Sequence, residues 1–361
     1  MNRTLSRCLL AASIAGLAAA SAAQASTTLR MSHFWPDGSG INQEIFQAWA
    51  ETIEEQSGGE LRVENFPSQT LTRADQAYQG AVNGISDIAI TAQGYTAGRF
   101  PLSQIVELPG VADTASQGAC ILQSLYDDGH IAGEYDDTRV LFMFTTGPGY
   151  LHTADHDIQS PDDLSGLRIR RPTAVAGEML ERLGAQPVGM PAPDIYTSLQ
   201  RGVIDGLSFP WEGMKVFRLN ELANYHTQVP FYSLIFVATM SQRSFDRLSP
   251  EQQAVIEANS GMAWSEVAGR VFDGLDDAGK QEAEEAGHHI RVIDSPLEHD
   301  DWAGPLKEGI ENYLSELEGR GLDNAREVYE AAMAARDACP VDQLYGYCIK
   351  RAWKVARFIK R

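Results

Sequence analysis

Segments with strand patterns alternate with segments of helical spacing from Thr28 to Ser208, and this alternation limits the folds open to the chain. Leu61–Phe66 alternates apolar and polar residues like a strand, whereas Asn42–Gln56 places its apolar residues on one face of a helix. Strands separated by helices usually pair in parallel, with the helices covering the sheet. The pattern therefore predicts an α/β fold with mainly parallel sheets, followed by a mostly helical region from Pro250 onward.

The composition is that of an acidic globular protein. The chain has 361 residues, enough for about two domains, and carries 29 basic against 49 acidic residues, a formal net charge of −20. Nucleic-acid binding needs a basic surface, so no nucleic-acid partner is expected. A hydrophobic content of 43% is typical of folded proteins and excludes predominant disorder.

The first 25 residues have the pattern of a secretory signal peptide. Arg3 and Arg7 precede the apolar segment Leu9–Ala20, and Ala23-Gln24-Ala25 matches a cleavage site between small residues. A membrane anchor is disfavoured because this apolar segment is short and rich in alanine. We therefore expect cleavage after Ala25 and export to the periplasm.

Three cysteines remain after this cleavage, and two of them are close in sequence. Cys339 and Cys348 flank Pro340 and a turn-like Tyr-Gly-Tyr segment, so we expect a disulfide between them in an oxidising compartment. Two free thiols are the alternative. Cys120 lies in an apolar segment and is interpreted as a small buried hydrophobic residue.

Signatures of catalysis are missing from the sequence. It has no Gly-x-Ser-x-Gly motif, no Walker loop and no Gly-x-Gly-x-x-Gly after a strand. His288, His289 and His299 lie in a polar, acidic segment and are interpreted as solvated surface rather than metal ligands. We therefore expect a binding protein without cofactor or metal. An exported hydrolase is the alternative from another class.

Three segments carry a resemblance to a known family. The first joins Phe66-Pro67-Ser68 to Gly80–Asp87, the second is Asp163–Pro172, and the third is Tyr196–Gly206. In their order and separations they resemble the solute-binding proteins of TRAP transporters, periplasmic receptors that deliver organic acids to a membrane symporter. The likeness covers nearly all of the chain after the signal peptide and weakens after about residue 320.

The resemblance implies a two-lobed periplasmic binding protein with a ligand cleft between the lobes and a long helix that bridges them. Residues 26–150 plus 238–283 would form lobe I, and residues 151–237 plus 284–340 would form lobe II. A ligand that contacts both lobes would favour their closure. The expected partners are a small carboxylate and the TRAP membrane subunits, and the protein itself is expected to be a monomer.

The basic C-terminal extension, residues 341–361, has no counterpart in the resemblance. It carries six basic residues after Tyr347 in an otherwise acidic protein. We favour a terminal helix packed on the acidic body of the protein. An amphipathic helix that contacts the membrane or the transporter is the alternative.

Arg170 is, by resemblance, the arginine that binds the ligand carboxylate. It ends the short strand Leu167–Arg170, and its planar guanidinium can pair with both carboxylate oxygens. Arg168 shares its face by strand alternation and is the substitute candidate.

The third segment departs from the family and suggests an apolar ligand. Many relatives have an asparagine where this chain has Phe209, so a polar ligand contact is replaced by an aromatic ring. The other predicted ligand-binding residues are Trp211, Tyr150, Phe34, Trp35 and Gln93. Together they favour a monocarboxylate with an aromatic or apolar body. An aliphatic 2-oxo or hydroxy acid is the alternative ligand, and a receptor that feeds a sensor kinase is the alternative role.

Overall fold

A computed structural model describes residues 26–339 and residue 341. The predicted signal peptide, Cys348 and nearly all of the predicted basic extension lie outside these residues. The strands are β1 (Thr27–Ser32), β2 (Leu61–Phe66), β3 (Ile88–Ala92), β4 (Thr138–Pro148), β5 (Tyr150–Thr153), β6 (Arg168–Arg171), β7 (Gln186–Gly189), β8 (Gly206–Phe209), β9 (Tyr225–Gln228), β10 (Ser233–Ser241) and β11 (His289–Val292). The helices are α1 (Ala48–Gln56), α2 (Ala77–Val82), α3 (Ala115–Asp127), α4 (Ala174–Arg182), α5 (Ile195–Gln200), α6 (Trp211–Val216), α7 (Gln242–Asp246), α8 (Pro250–Ala258), α9 (Met262–Glu285), α10 (Ala303–Gly319) and α11 (Ala325–Ala338). Among the described residues, no helix has the length and apolar character needed to cross a bilayer.

The strands form two mixed sheets. The first has the order β2-β1-β3-β10-β4 and the second the order β11-β9-β5-β8-β6-β7. The predicted α/β class is confirmed, but each sheet also contains an antiparallel strand: β10 runs against β3 and β4, and β5 runs against β8 and β9. The expectation of mainly parallel sheets overlooked these strands, because each follows its predecessor without a crossover helix.

The chain crosses from one sheet to the other through two adjacent connections. The first is at Gly149, between β4 and β5, and the second lies between β9 and β10. The Gly149 amide donates a hydrogen bond to the Tyr232 carbonyl (2.7 Å), so the two crossings are joined. A side chain at Gly149 would overlap the Tyr232 ring. We call the sheets, with the helices packed on them, the first and second lobes; the predicted lobe boundaries at 150 and 237 stay a prediction.

Helix α9 bridges the two lobes, as the resemblance implies. It is 24 residues long and packs against α3 and β4 of the first lobe and against α6 of the second. Gly269 lies on the backbone of Ser116, and Gly279 lies on the backbone of Trp211. A side chain at either glycine would overlap these atoms, so the close packing of α9 depends on both.

Two aspartates of α9 also bind the first turns of one helix from each lobe. Asp273 accepts hydrogen bonds from the Ala115 amide (2.7 Å) and the Ser116 amide (3.1 Å) at the start of α3. Asp276 accepts one from the Glu212 amide (2.7 Å) at the start of α6. Since the first amides of a helix have no partner within the helix, both carboxylates stabilise these ends.

The same ion pair occurs once in each lobe. Asp87 accepts hydrogen bonds from the Arg30 amide (2.8 Å) and Nε (3.1 Å), just before β3. Asp205 accepts the equivalent bonds from the Arg168 amide (2.8 Å) and Nε (2.9 Å), just before β8. Both aspartates end a Gly-x-x-Asp sequence. The lobes thus share a local construction that links two parallel strands, β1 to β3 in the first lobe and β6 to β8 in the second.

The disulfide differs from the expected one. Cys339 is bonded to Cys120, so the predicted Cys339–Cys348 bridge is wrong, and Cys120 is not a free buried thiol. The reason is tertiary: α11 packs against α3, which brings the end of α11 beside the middle of α3. Sequence spacing favours a short loop but cannot report such packing.

Loss of this disulfide should destabilise the protein. The two cysteines are 219 positions apart, and closing a long loop restricts the unfolded chain most. We expect Cys339→Ser to lower the free energy of unfolding by about 2–5 kcal/mol, measured by denaturant titration without reductant. Cys120→Ser should have the same effect and Cys348→Ser almost none. If Cys348→Ser destabilised the protein and Cys120→Ser did not, the Cys339–Cys348 pairing would be the correct one.

Candidate ligand-binding site

Arg170 on β6 is fully buried where the two lobes meet. Its side chain is 0% exposed, an unusual state for an arginine. Nε donates to the Met190 carbonyl (3.0 Å), and Nη1 donates to the Ser208 carbonyl (3.1 Å). Nη2 donates to the hydroxyl of Tyr95 (3.2 Å), which belongs to the first lobe. The guanidinium therefore contacts both lobes.

The charge of Arg170 has no counterpart among residues 26–339, because none of their ion pairs includes it. A guanidinium has five N–H groups, and the three bonds above occupy three of them. One N–H on each terminal nitrogen is left. A buried cation without an anion is costly, and a carboxylate can accept from both terminal nitrogens at once.

Arg168 is differently placed, although it lies on the same strand. Its Nη2 and Nε donate to the two oxygens of Asp205 (2.6 and 2.9 Å), and its side chain is 42% exposed. The structure thus gives Arg168 a carboxylate partner within the protein. Its predicted role as a substitute for Arg170 stays a prediction without a contact to support it.

Arg170 adjoins a cluster of aromatic rings from both lobes. The Phe209 ring lies 5.0 Å from the guanidinium carbon, within cation–π distance, and Phe217 lies beyond it at 5.9 Å between ring centres. Phe34 approaches Phe217 to 6.5 Å and Tyr95 to 5.6 Å. Phe34 and Phe209 were predicted from the sequence. Tyr95 and Phe217 were missed; only the position of Tyr95 just after a predicted strand could have indicated it.

Tyr95 ties the first lobe to the second through its hydroxyl. Besides the bond from Arg170, the hydroxyl accepts a hydrogen bond from the Ala192 amide (3.0 Å). Burial raises the pKa of Tyr95, and the nearby Arg170 charge opposes this rise. The phenol therefore stays neutral and joins the lobes at the position of the guanidinium.

The two predicted tryptophans pack elsewhere. Trp35 contacts Phe34 (4.0 Å between ring centres), Phe46 (5.2 Å) and Phe236 (5.1 Å), so its ring belongs to the first lobe's core. Trp211 begins α6 and is buried. Among the described residues, the ring within cation–π distance of Arg170 is that of Phe209 and not that of either tryptophan.

Trp211 and Tyr150 adjoin a buried chain of histidines. The Trp211 ring lies 5.0 Å from His152 and 4.8 Å from His226, and the Tyr150 ring lies 6.4 Å from Trp211. The structure therefore places Trp211 beside α9 and the histidines, with Tyr150 near Trp211, and their proposed contact with ligand has no support from the described packing.

The histidine chain ends at the backbone of Phe209. His152 Nε2 lies 3.0 Å from the Phe209 carbonyl, His152 Nδ1 lies 2.7 Å from His226 Nδ1, and His226 Nε2 lies 2.9 Å from His288 Nδ1. Burial lowers the pKa of His152 to about 4 and that of His226 further, so both are neutral. Because a carbonyl only accepts, we assign the donated protons in one direction, from His288 toward Phe209. His288, interpreted from sequence as solvated surface, is instead half-buried in this chain.

Buried polar atoms without a hydrogen-bond partner among the described residues include Gln93 Oε1 and Trp211 Nε1. Gln93 is fully buried and donates to the Tyr135 hydroxyl, but its Oε1 accepts nothing. The Tyr232 hydroxyl, on the second crossing, is also buried; burial raises the pKa of this phenol, and a hydrogen bond with the Ser208 side chain opposes the rise. Gln93 was predicted and Tyr232 was not.

Glu107 is a fully buried acid on the first lobe. It is 0% exposed, and its oxygens lie 3.4 Å from the Ile235 amide and 3.4 Å from Gln104 Nε2. Burial raises its pKa from 4.5 to about 8, and a hydrogen bond with the hydroxyl of Thr173, from the second lobe, opposes this rise. The sequence offered no sign of this acid, because Glu107 belongs to none of the motifs.

The raised pKa of Glu107 makes stability depend on pH. Between its ordinary pKa of 4.5 and about 8, the unfolded chain loses the proton that the folded state keeps, so stability falls as pH rises. Glu107→Gln removes this dependence. We expect the wild type to lose roughly 1–4 kcal/mol relative to the variant between pH 5 and 8, measured by denaturant titration at each pH.

Comparing the wild type with Glu107→Gln separates the contribution of Glu107 to the pH dependence from that of other buried acids. One of these is Asp276, because burial raises its pKa to about 7. A difference in stability that stays constant from pH 5 to 8 would show that Glu107 is ionised in the folded protein at both ends of this range.

Comparison with known proteins assigns the family. The model of the bacterial extracellular solute-binding proteins of family 7 matches residues 31–315, and the chain belongs to this family. Members of this family are binding proteins of TRAP transporters and not enzymes, so the chain is a solute receptor and its expected lobed α/β fold is confirmed.

Three solved structures illustrate the similarity. A TRAP solute-binding protein from a marine metagenome, specific for aromatic acids and bound to 3-hydroxybenzoate, is 33% identical with a TM-score of 0.81, covering 87% of this chain and 98% of that one. One from Rhodoferax ferrireducens with copurified benzoate is 32% identical with a TM-score of 0.80, covering 87% and 98%. One from Bordetella bronchiseptica with bound (R)- and (S)-mandelate is 26% identical with a TM-score of 0.78, covering 86% and 98%.

Proposed function

We propose that the protein captures an aromatic monocarboxylate in the periplasm and delivers it to the membrane subunits of a TRAP transporter. The observation that carries the proposal is Arg170, a fully buried guanidinium without an ion-pair partner among residues 26–339 and with one N–H left on each terminal nitrogen. The rings of Phe34, Tyr95, Phe209 and Phe217 around it supply apolar walls for the body of the ligand.

The ligands of similar proteins support this choice. The three structures compared above hold a hydroxybenzoate, benzoate and mandelate, each a monocarboxylate that contains an aromatic ring. Phe209, at the position where many relatives carry an amide, agrees with a ring as the ligand body. Export depends on the signal peptide predicted for residues 1–25.

Capture couples to closure of the lobes in this proposal. Arg170 and Phe209 belong to the second lobe, whereas Phe34 and Tyr95 belong to the first. A ligand that contacts both sets favours the closed state by its differential affinity. A screen of carboxylic acids by thermal shift on ligand-stripped protein tests the ligand class, since a ligand of the folded state raises the melting temperature. Aliphatic 2-oxo and hydroxy acids belong in the same screen.

Arg170→Ala should abolish measurable binding of the best aromatic acid from this screen. Removing one partner of a buried charge pair costs roughly 2–5 kcal/mol, which is about thirtyfold to several thousandfold in affinity. Arg170→Lys should recover only part of the loss, because an ammonium keeps the charge but not the paired donors. Isothermal titration calorimetry measures each affinity, and the melting temperature of the empty variants should stay near that of the wild type.

Arg168→Ala is the companion variant on the same strand. Since Asp205 already pairs Arg168, its removal should leave ligand affinity unchanged. Full affinity in Arg170→Ala together with a loss in Arg168→Ala would move the carboxylate site to Arg168.

Phe209→Asn should weaken the binding of aromatic acids while the contact between Arg170 and the ligand carboxylate remains. Loss of a buried ring costs about 3–5 kcal/mol in protein cores, and less is expected at a cleft wall. The measurement is the affinity for benzoate, with Trp211→Phe as a control for a ring that packs on the histidine chain. Equal affinity of Phe209→Asn and wild type for every aromatic acid would remove Phe209 from the site.

A further inference from the structure

We propose that α10 and α11 form a strap between the two lobes and that the Cys120–Cys339 disulfide fixes one end of it, so that the strap limits how far the lobes open. This inference goes beyond the proposed function, because it concerns the motion of the empty protein and not the ligand. The strap is a connection in addition to α9 and the two crossings.

Helix α10 is attached to the second lobe. It packs against α4, which in turn packs against β6 and β7 of the second sheet. Gly309 of α10 lies on the side chain of Met179. Glu308 accepts a hydrogen bond from Nη1 of Arg182 on α4 (3.0 Å). Because these contacts lie within one lobe, α10 moves with the second lobe when the lobes rotate.

Helix α11 is attached to the first lobe at its C-terminal end. Cys339, directly after the helix, is bonded to Cys120 in α3. Arg336 donates a hydrogen bond to the Gly110 carbonyl, just before α3. The helix also packs against the turn Ser103–Glu107, which contacts β10 of the first sheet. Since the disulfide is covalent, α11 cannot leave α3 while this bond is intact.

Arg326 joins the two helices to each other. From α11 it donates hydrogen bonds to three side chains of α10: Glu311 (3.0 Å), Ser315 (3.2 Å) and Glu318 (3.0 Å). An exposed ion pair alone contributes little, but a network of several partners around one guanidinium resists separation. Tyr313 of α10 adds a bond from its hydroxyl to the Pro101 carbonyl of the first lobe (2.9 Å).

The turn between the helices has room to bend. Gly321 has a φ of +86°, a conformation that glycine adopts without strain. A cavity of about 470 Å³ lies between Arg320 and Leu322 of this turn and the first-lobe loop at Pro101. The turn is therefore not packed on the first lobe, and α10 and α11 can change their angle at this point.

These attachments determine what must break when the lobes separate. Either α10 leaves α11, or α11 leaves α3. The disulfide excludes the second route, so the contacts of Arg326 have to break whenever the cleft opens widely. Loss of the disulfide permits the second route and lets the lobes open with these contacts intact.

Small-angle X-ray scattering of the ligand-stripped mature protein tests the strap. All proteins carry Cys348→Ser, so that this cysteine cannot pair with Cys339 when Cys120 is replaced. We expect a larger radius of gyration for Cys120→Ser and for Arg326→Ala than for the parent. The double variant should show no greater increase than the larger of the two single changes, because one broken attachment is enough for opening.

Arg139→Ala is the matched control. Arg139 is also partly exposed and also pairs with a carboxylate, that of Glu257 (2.6 Å), but neither residue belongs to the strap. Its removal should leave the radius of gyration unchanged. Arg326→Ala keeps the disulfide, so this variant tests the strap even if Cys120→Ser fails to fold.

Release of benzoate gives a second measurement. Arg326→Ala should release benzoate about twofold to tenfold faster than the parent in stopped-flow experiments, the range expected for the loss of one hydrogen bond. This measurement depends on the proposed function, whereas the scattering measurement uses no ligand.

The outcomes separate the strap from the proposed function. If all variants have the radius of gyration of the parent, the strap is overturned. An increase in Cys120→Ser without one in Arg326→Ala also overturns it, because the disulfide would then act within the first lobe alone. If benzoate and the other aromatic acids do not bind, the proposed function fails, and the scattering result still decides on the strap.

Discussion

The buried guanidinium of Arg170 is the interaction on which the cleft depends. The protein is strongly acidic, yet at the meeting of its lobes it holds one cation away from water and surrounds it with carbonyl and hydroxyl oxygens. These neutral acceptors hold the side chain in place and leave its charge largely uncompensated, since carbonyl dipoles repay only part of the cost of burial. This uncompensated charge is the physical basis of the proposed carboxylate ligand, because an anion would complete it.

The strand and helix pattern of the chain could be predicted where it is periodic. The parallel strands β1, β2, β3, β6 and β8 follow the expected alternation with helices. The antiparallel strands β5 and β10 could not be identified in the same way, because each follows the preceding strand without a crossover helix. The Cys120–Cys339 bond was equally hidden, since it depends on how α11 packs against α3 and not on spacing.

The residues of the candidate site also differ in whether the sequence could predict them. Arg170 and Phe209 stand inside motifs and could be indicated by resemblance. Tyr95 comes from a segment without a motif, and only the fold brings its hydroxyl to 3.2 Å from Nη2 of Arg170. Aromatic residues are the hardest to assign, because sequence does not distinguish a ring in the core from a ring in a cleft. Trp211 packs on histidines, whereas Phe209, two positions earlier, contacts the guanidinium.

The attachment of α9 to both lobes also sets how far each part of the molecule travels when the lobes rotate. Asp273 and Asp276 lie within one turn of the helix, so both lobes are fastened at nearly the same height along its axis. In a rotation about this point, displacement grows with distance from the helix. The first-turn amides of α3 and α6 that bind Asp273 and Asp276 would move little and keep their hydrogen bonds. The outer edges of the lobes would move farthest. A small rotation at the two crossings would therefore separate the outer edges of the lobes widely. The hydrogen bonds from α9 to the starts of α3 and α6 would stay intact.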